Sequence, residues 1–151
     1  MTGAVAQLLQ LTMHVDERGT LVAGEMGEHL PFIPVRFFTI SGVPRALTRG
    51  GHAHRTCHQL LVVLEGSVSC YWEDSEGTCT SILSADSYAL YLPPLVWARQ
   101  TYLSEESLLL VLASHSYDAD DYIDDASIAG DLRMLYANSS VDSGRSVEGK
   151  P

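Results

Sequence analysis

Arg49-Gly50-Gly51-His52-Ala53-His54 decides how this chain is read. Side chains alternate across a β-strand, so histidines at i and i+2 project from the same face. The glycine pair just before them lets the backbone turn into the strand. Imidazoles titrate near neutral pH, so His52 and His54 on one face suit general acid–base work. Four residues, 55 to 58, separate His54 from Gln59, and six, 60 to 65, separate Gln59 from Gly66.

Outward from that stretch, a period of two dominates. LVAGEM, VRFFTI, QLLVVLEG, SVSCYWED, TCTSILS, YALYLPP and SLLLVLAS are short and rich in Val, Leu, Ile, Tyr and Phe. Turn signals divide them, among them Asp16-Glu17-Arg18-Gly19, Ser41-Gly42-Val43-Pro44, Glu65-Gly66 and Pro93-Pro94. Many short strands at near-regular spacing predict an all-β sandwich or barrel. Val68, Cys70 and Trp72 form the apolar side of one strand, and Tyr88, Leu90 and Leu92 that of another. A short helix or turn is predicted over Asp120–Ala129. Residues 1–137 read as one domain, and 138–151, polar and without apolar period, as a flexible C-terminal tail.

The chain has 151 residues, enough for one domain with a sizeable core. No apolar run is long enough to span a bilayer, so no membrane partner is expected. The N-terminus lacks the basic segment of a secretory signal. Cys57, Cys70 and Cys79 show no CxxC spacing and read as packed or half-buried, reduced thiols in a cytoplasm. A formal charge of −10 argues against a nucleic-acid partner. Converging arginines would still take an anionic small molecule. Arg18, Arg36, Arg45, Arg49, Arg55 and Arg99 are the arginines of the first hundred residues.

The frame His52-x-His54, Gln59, Gly66 resembles the first cupin motif, with glutamine where the acidic metal ligand belongs. A cupin metal site takes two histidines, a glutamate and a later histidine, a donor set suited to transition metals. Here the second motif reads Pro93-Pro94-Leu95-Val96-Trp97-Ala98, with Ala98 at the last histidine position. Two of four ligands are missing, and no metal or other cofactor is expected. A one-residue shift would let His58 replace the glutamate.

Trp97 enters the barrel mouth, where an indole packs on a sugar or base or else in the core. Arg99 shares its strand face and is a phosphate candidate. Tyr91 and Tyr88 fit core or pocket equally. His14, His29 and His115 lack partners at useful spacing and read as surface or loop residues. The acidic run Asp118, Asp120, Asp121, Asp124 and Asp125 lacks the glycine and closing glutamate of a calcium loop and reads as a solvated face.

These pieces together resemble the cupin nucleotide-sugar 3,4-ketoisomerases acting on dTDP-4-keto-6-deoxyglucose. The resemblance runs from about Asp16 to Ile123. It rests on Asp16-Glu17-Arg18-Gly19, Leu30-Pro31-Phe32 with Val35-Arg36, the Arg49–His54 stretch, Gln59-Leu60-Leu61-Val62, and Leu90–Trp97. Val111–Ser114, Tyr117-Asp118 and Asp121–Ile123 complete it. It implies a jelly-roll barrel, a homodimer exchanging N-terminal strands, and a dTDP-linked keto-deoxysugar moved from 4-ketone to 3-ketone without metal. It makes His52 the group working on carbon and His54 the group on the oxygen protons, with exchanged roles equally compatible. It makes Arg18 and Arg36 candidates for the diphosphate, since a guanidinium binds phosphate oxygens in pairs. Arg49 binds phosphate or braces its loop, and Gln59 holds a substrate hydroxyl or an imidazole. Phe37-Phe38 stands where relatives often carry tyrosine, and Ala98 where they often carry a polar residue. Either change bears on the substrate, on the configuration at C4 or on activity itself. The alternatives are a nucleotide-sugar epimerase of related barrel fold, a metal-dependent cupin and a non-catalytic sugar-nucleotide binder.

Overall fold

The computed structural model describes residues 4–86 and 88–142. Twelve strands precede one long helix. β1 (Gln7–Gln10), β9 (Tyr88–Leu92), β6 (Gln59–Glu65), β11 (Leu108–Ala113) and β4 (Arg36–Ile40) form one antiparallel sheet in that order. β12 (Tyr122–Ile123), β5 (Thr48–His54), β10 (Trp97–Tyr102), β7 (Ser67–Asp74) and β8 (Gly77–Ser84) form the other. The apolar faces of the two sheets meet. Leu61, Val63, Leu90, Leu92, Leu109 and Val111 of the first pack with Val68, Cys70, Trp72, Leu83, Ala98 and Tyr102 of the second. Full burial of one such leucine or valine contributes about 1.5–3 kcal/mol. This is the predicted all-β jelly roll, and β7 alternates as read, with Val68, Cys70 and Trp72 inside.

The tight connection between β6 and β7 needs Gly66. Its φ is 70°, and a Cβ there would lie 2.5 Å from Ser104 Oγ and 2.8 Å from Ser107 Cα. A second apolar layer lies outside the first sheet, where Leu9, Leu11, Leu30 and Phe32 cover Leu60, Ala89 and Tyr91. β9 is therefore buried on both faces.

β2 (Thr12–Asp16) and β3 (Gly19–Ala23) pair only with each other among the described residues. This hairpin carries exposed Met13, Val15, Leu21 and Val22.

The C-terminal part differs from the reading. Asp120–Ala129 is not one helix: a 3-10 turn at Ala119–Asp121 leads into β12, and α1 runs over Ala126–Asp142. Pairing of Tyr122 with His54 and of Ile123 with Ala53 holds the segment extended. The expected tail from 138 begins inside α1, and 143–151 lie outside the described residues. No described helix is long and apolar enough to cross a membrane.

Candidate active site

The site begins with a break in β5. Gly50 and Gly51 have φ of 80° and 76°. β10 pairs Ala98 with His52 but Arg99 with Gly50, so Gly51 is an extra residue and the register shifts. Strict alternation would put Arg49 opposite His52. The bulge instead lets both face a cavity of ≈ 320 Å³, lined also by Phe38, Ile40, Gln59, Gln100, Tyr117 and Tyr122. A recess of ≈ 20 Å³ adjoins it, bounded by His52, His54, Cys57, Gln59, Ala98 and Gln100.

His54 is 6% exposed and held from behind. Its Nδ1 lies 3.0 Å from Asp121 Oδ2. Asp121 also accepts from the Thr56 N–H at 2.8 Å, the Thr56 hydroxyl at 2.7 Å and the Cys57 N–H at 3.2 Å. A carboxylate held by donors only accepts, so Nδ1 carries the imidazole proton and Nε2 keeps the lone pair. That Nε2 is buried without a protein partner. The His52 ring sits edge-on, 5.1 Å away between centroids, and Tyr122 packs against both rings at 4.7 and 4.5 Å.

Burial and the neighbouring His52 push the His54 imidazole down to about 4, against the pull of Asp121. Burial also lowers His52, opposed by a backbone hydrogen bond to Gly50 and the Asp124 charge. Both rings are therefore neutral, proton-accepting imidazoles at pH 7. Burial raises Asp121, but its hydrogen bonds from Thr56, Cys57 and His54 prevail and keep it ionised.

The family described as FdtA: WxcM-like, C-terminal, matches residues 4–129. A TDP-4-oxo-6-deoxy-alpha-D-glucose-3,4-oxoisomerase of Aneurinibacillus thermoaerophilus is 36% identical over 109 residues, 72% of this chain and 78% of that protein. A mutant of the 3,4-ketoisomerase QdtA from Thermoanaerobacterium thermosaccharolyticum, solved with TDP-4-keto-6-deoxyglucose, superposes with a TM-score of 0.79. It is 32% identical, over 86% of this chain and 94% of that one. A 3,4-ketoisomerase from Helicobacter canadensis gives 0.78 at 28% identity, over 85% and 97%. This chain belongs to the cupin-type nucleotide-sugar 3,4-ketoisomerase family. It is an isomerase.

The fold brings together only some of the residues read from the sequence. His52, Arg49 and Gln59 line the cavity, and His54 the recess. Arg36 does not itself line the cavity; its guanidinium lies 5.1 Å from the Phe38 ring and 5.7 Å from that of Tyr117, two residues that do. Its Nε is buried without a protein partner.

Four expected contacts fall elsewhere in the single chain. Arg18 is at the β2–β3 turn, 84% exposed and paired with Asp16. Trp97 and Arg99 lie on the outer face, because Ala98 and Gln100 take the inner one. The Trp97 indole N–H donates to the Asp124 carbonyl at 2.9 Å, and the Arg99 guanidinium lies over Tyr71 at 4.7 Å. Tyr91 is in the layer outside the first sheet, where its hydroxyl meets His58 Nδ1 at 2.7 Å. His58 is therefore turned towards Tyr91 and Phe32, and not towards His52 and His54.

Asp121, Tyr117, Tyr122 and Gln100 were not read as site residues. Asp121 is a correction to the solvated acidic run, being 8% exposed. Its signal was the apolar Ile123 two residues on, which marks the segment as packed. Gln100 shares the strand parity of Ala98, and that parity was its signal.

The residues do not fit a cupin transition-metal centre. Gln59 offers a neutral amide, and Ala98 offers no donor. Outside that frame, ligand atoms of His54, Cys57 and Asp121 lie within 4.8 Å of one another. The Asp121 carboxylate is already engaged by His54, Thr56 and Cys57, so the cluster reads as a hydrogen-bonded support.

Proposed function

We propose that this isomerase moves the carbonyl of dTDP-4-keto-6-deoxyglucose from C4 to C3 through an enediol, with no metal. The 4-ketone acidifies the C3 hydrogen. His52, which faces the larger cavity, takes that proton as general base. His54 takes the proton of the C3 hydroxyl and gives it to the C4 oxygen, so the charge of the enediolate passes to the C3 oxygen, which becomes the 3-ketone as C4 is protonated. His52 returns its proton to C4. Atoms and charge balance, since one imidazole carries the carbon proton and the other the oxygen proton. The product is a precursor for a 3-amino sugar in deoxysugar biosynthesis, and the reaction is placed in the cytoplasm.

One observation carries this reading. His54 presents a buried, unpartnered Nε2 beside His52, with its proton fixed on the other nitrogen by Asp121. Arg49, which lines the cavity, and Arg36, packed on the Tyr117 ring of its wall, supply positive charge for a diphosphate.

The same reading includes a homodimer that exchanges N-terminal strands. The β2–β3 hairpin supports it, since it stands outside both large sheets with Met13, Val15, Leu21 and Val22 uncovered. Arg18 serves the diphosphate only if this arm reaches a second copy.

Incubation with dTDP-4-keto-6-deoxyglucose in heavy water and excess chelator, read by NMR, tests the function. The expected product has its carbonyl at C3, with deuterium at C4 to the extent that the proton held on His52 exchanges with solvent before it returns. A carbonyl that stays at C4 with an inverted centre supports the epimerase instead. Activity lost to chelator and restored by a transition metal supports the metal-dependent cupin. Tight binding without deuterium in the sugar leaves only a binder.

A further inference from the structure

Gln100 combines three properties that no structural role in the barrel explains. It is 7% exposed, on the inner face of β10. It borders both the cavity and the recess, together with His52 and Gln59. Its side-chain amide makes no hydrogen bond to a described residue, and neither amide atom is sealed from the open space. A primary amide left open to a cavity, with donors unspent on protein, is free to donate to whatever enters.

Gly50 holds this amide in place. A Cβ at Gly50 would lie 2.6 Å from Gln100 Oε1 and 3.3 Å from its Cδ. Glycine there leaves room for the amide to rest on bare backbone. The same Gly50 hydrogen-bonds His52 through its backbone. One bulge therefore positions both the base and the amide. The recess of ≈ 20 Å³ holds about one water-sized group and not a sugar ring. An oxygen substituent fits it, beside the His54 ring that handles oxygen protons.

We infer that Gln100 is a further catalytic residue, whose amide N–H donates to the C4 oxygen of the sugar as the enediol forms. This rests on the isomerase reading above. When His52 removes the C3 proton, the electron pair moves into the C3–C4 bond and negative charge grows on the C4 oxygen. A donor already aimed at that oxygen stabilises the transition state more than the ketone. Nothing is consumed, and the bond relaxes when the C4 oxygen receives its proton from His54.

The test is Gln100→Met and Gln100→Glu, assayed on dTDP-4-keto-6-deoxyglucose beside the wild type, with dTDP affinity and Tm measured for each. Loss of one such donor lowers kcat by about 10²–10³-fold. We expect that loss in both variants, with dTDP affinity unchanged. Gln100→Glu is nearly isosteric and keeps the packing on Gly50, so it answers should Gln100→Met fail to fold. Wild-type kcat in the folded variants overturns the inference and leaves the isomerase reading standing. A raised KM with unchanged kcat also overturns it, since it shows an ordinary hydroxyl contact. A wild type that leaves the carbonyl at C4 removes both.

Discussion

The two faces of β10 both carry polar and aromatic side chains, Gln100 and Tyr102 on one and Trp97, Arg99 and Thr101 on the other, and have opposite consequences. Ala98 and Gln100 look into the barrel beside the imidazoles. Trp97 and Arg99 look out, tied to Asp124 and Tyr71. Polar and aromatic chemistry alone does not tell them apart. Position in the register does: Ala98 pairs with His52 and Gln100 with Arg49, so those β10 residues share the cavity face of β5. The proposed chemistry of this ketoisomerase-family chain sits on the inner face of a strand pair, backed by a buried carboxylate. The other face builds surface.

The sharpest way to break that contrast is on the inner face of β5. His52→Asn and His54→Asn each remove an imidazole and keep a small polar side chain. Loss of a general acid–base group lowers turnover by about 10²–10⁴-fold. We expect kcat to fall in that range for both, with Tm near wild type and dTDP affinity retained. Wild-type rates from either variant would remove that histidine from the chemistry.

The fold and half of the site were legible in the sequence, for identifiable reasons. Val68, Cys70 and Trp72 alternate with polar residues because β7 has one face in the core. His52 and His54 share a face because two residues bring a strand back to the same side. Their direction, inward, depended on a partner strand, and so did everything across from them. Trp97 and Arg99 were assigned inward by the likeness to a barrel-mouth motif. The turn feeding β10 overrides it, with Leu95 at φ 68° and its carbonyl bound by Arg133 of α1. Tyr91 gave no usable cue, since β9 is buried on both sides. Its outer cover comes from Leu11, Leu30 and Phe32, distant in sequence. Asp121 was hidden in a run of aspartates, four of which are exposed as read. Only pairing of Tyr122 and Ile123 with β5 draws this one carboxylate under His54.

A smaller effect sharpens the contrast between buried and surface imidazoles through pH. His54 is held down to about 4 in the fold, chiefly by burial, against 6.5 unfolded. Below pH 6.5 the unfolded chain takes up a proton that the folded chain refuses. Stability from neutral His54 is thus complete above pH 6.5, falls as pH drops towards 4, and levels off below that. The full span is worth about 3 kcal/mol. His52 and His58, also lowered by burial, act in the same direction. Urea unfolding from pH 7.5 to 4.5 should therefore show a shallower loss in His54→Asn than in wild type. Identical slopes would mean that His54 does not titrate as a buried group. The acid limb of kcat/KM should likewise lie below pH 6.5, because both imidazoles must be neutral to accept protons.

The smallest expected effects belong to the outer face, and they test the contrast from the other side. Arg99 is exposed, and its described contact is the Tyr71 ring. An exposed cation–π contact contributes about 0.5–1 kcal/mol. Arg99→Ala should lower stability by no more than that and change kcat and KM by less than about twofold, since uninvolved surface changes stay within roughly 0.5 kcal/mol. Tyr91→Phe removes the hydroxyl that meets His58 and keeps the ring against Phe32. It should cost about 1 kcal/mol in unfolding free energy, the net value of one hydrogen bond, with turnover unchanged. A tenfold rise in KM from Arg99→Ala would instead bring β10's outer face to the substrate. In that case the strand of a second copy, or a different closure of the barrel, would have to expose Arg99 to the diphosphate. The assignment of function to one parity would then fail, even with both histidines where they are.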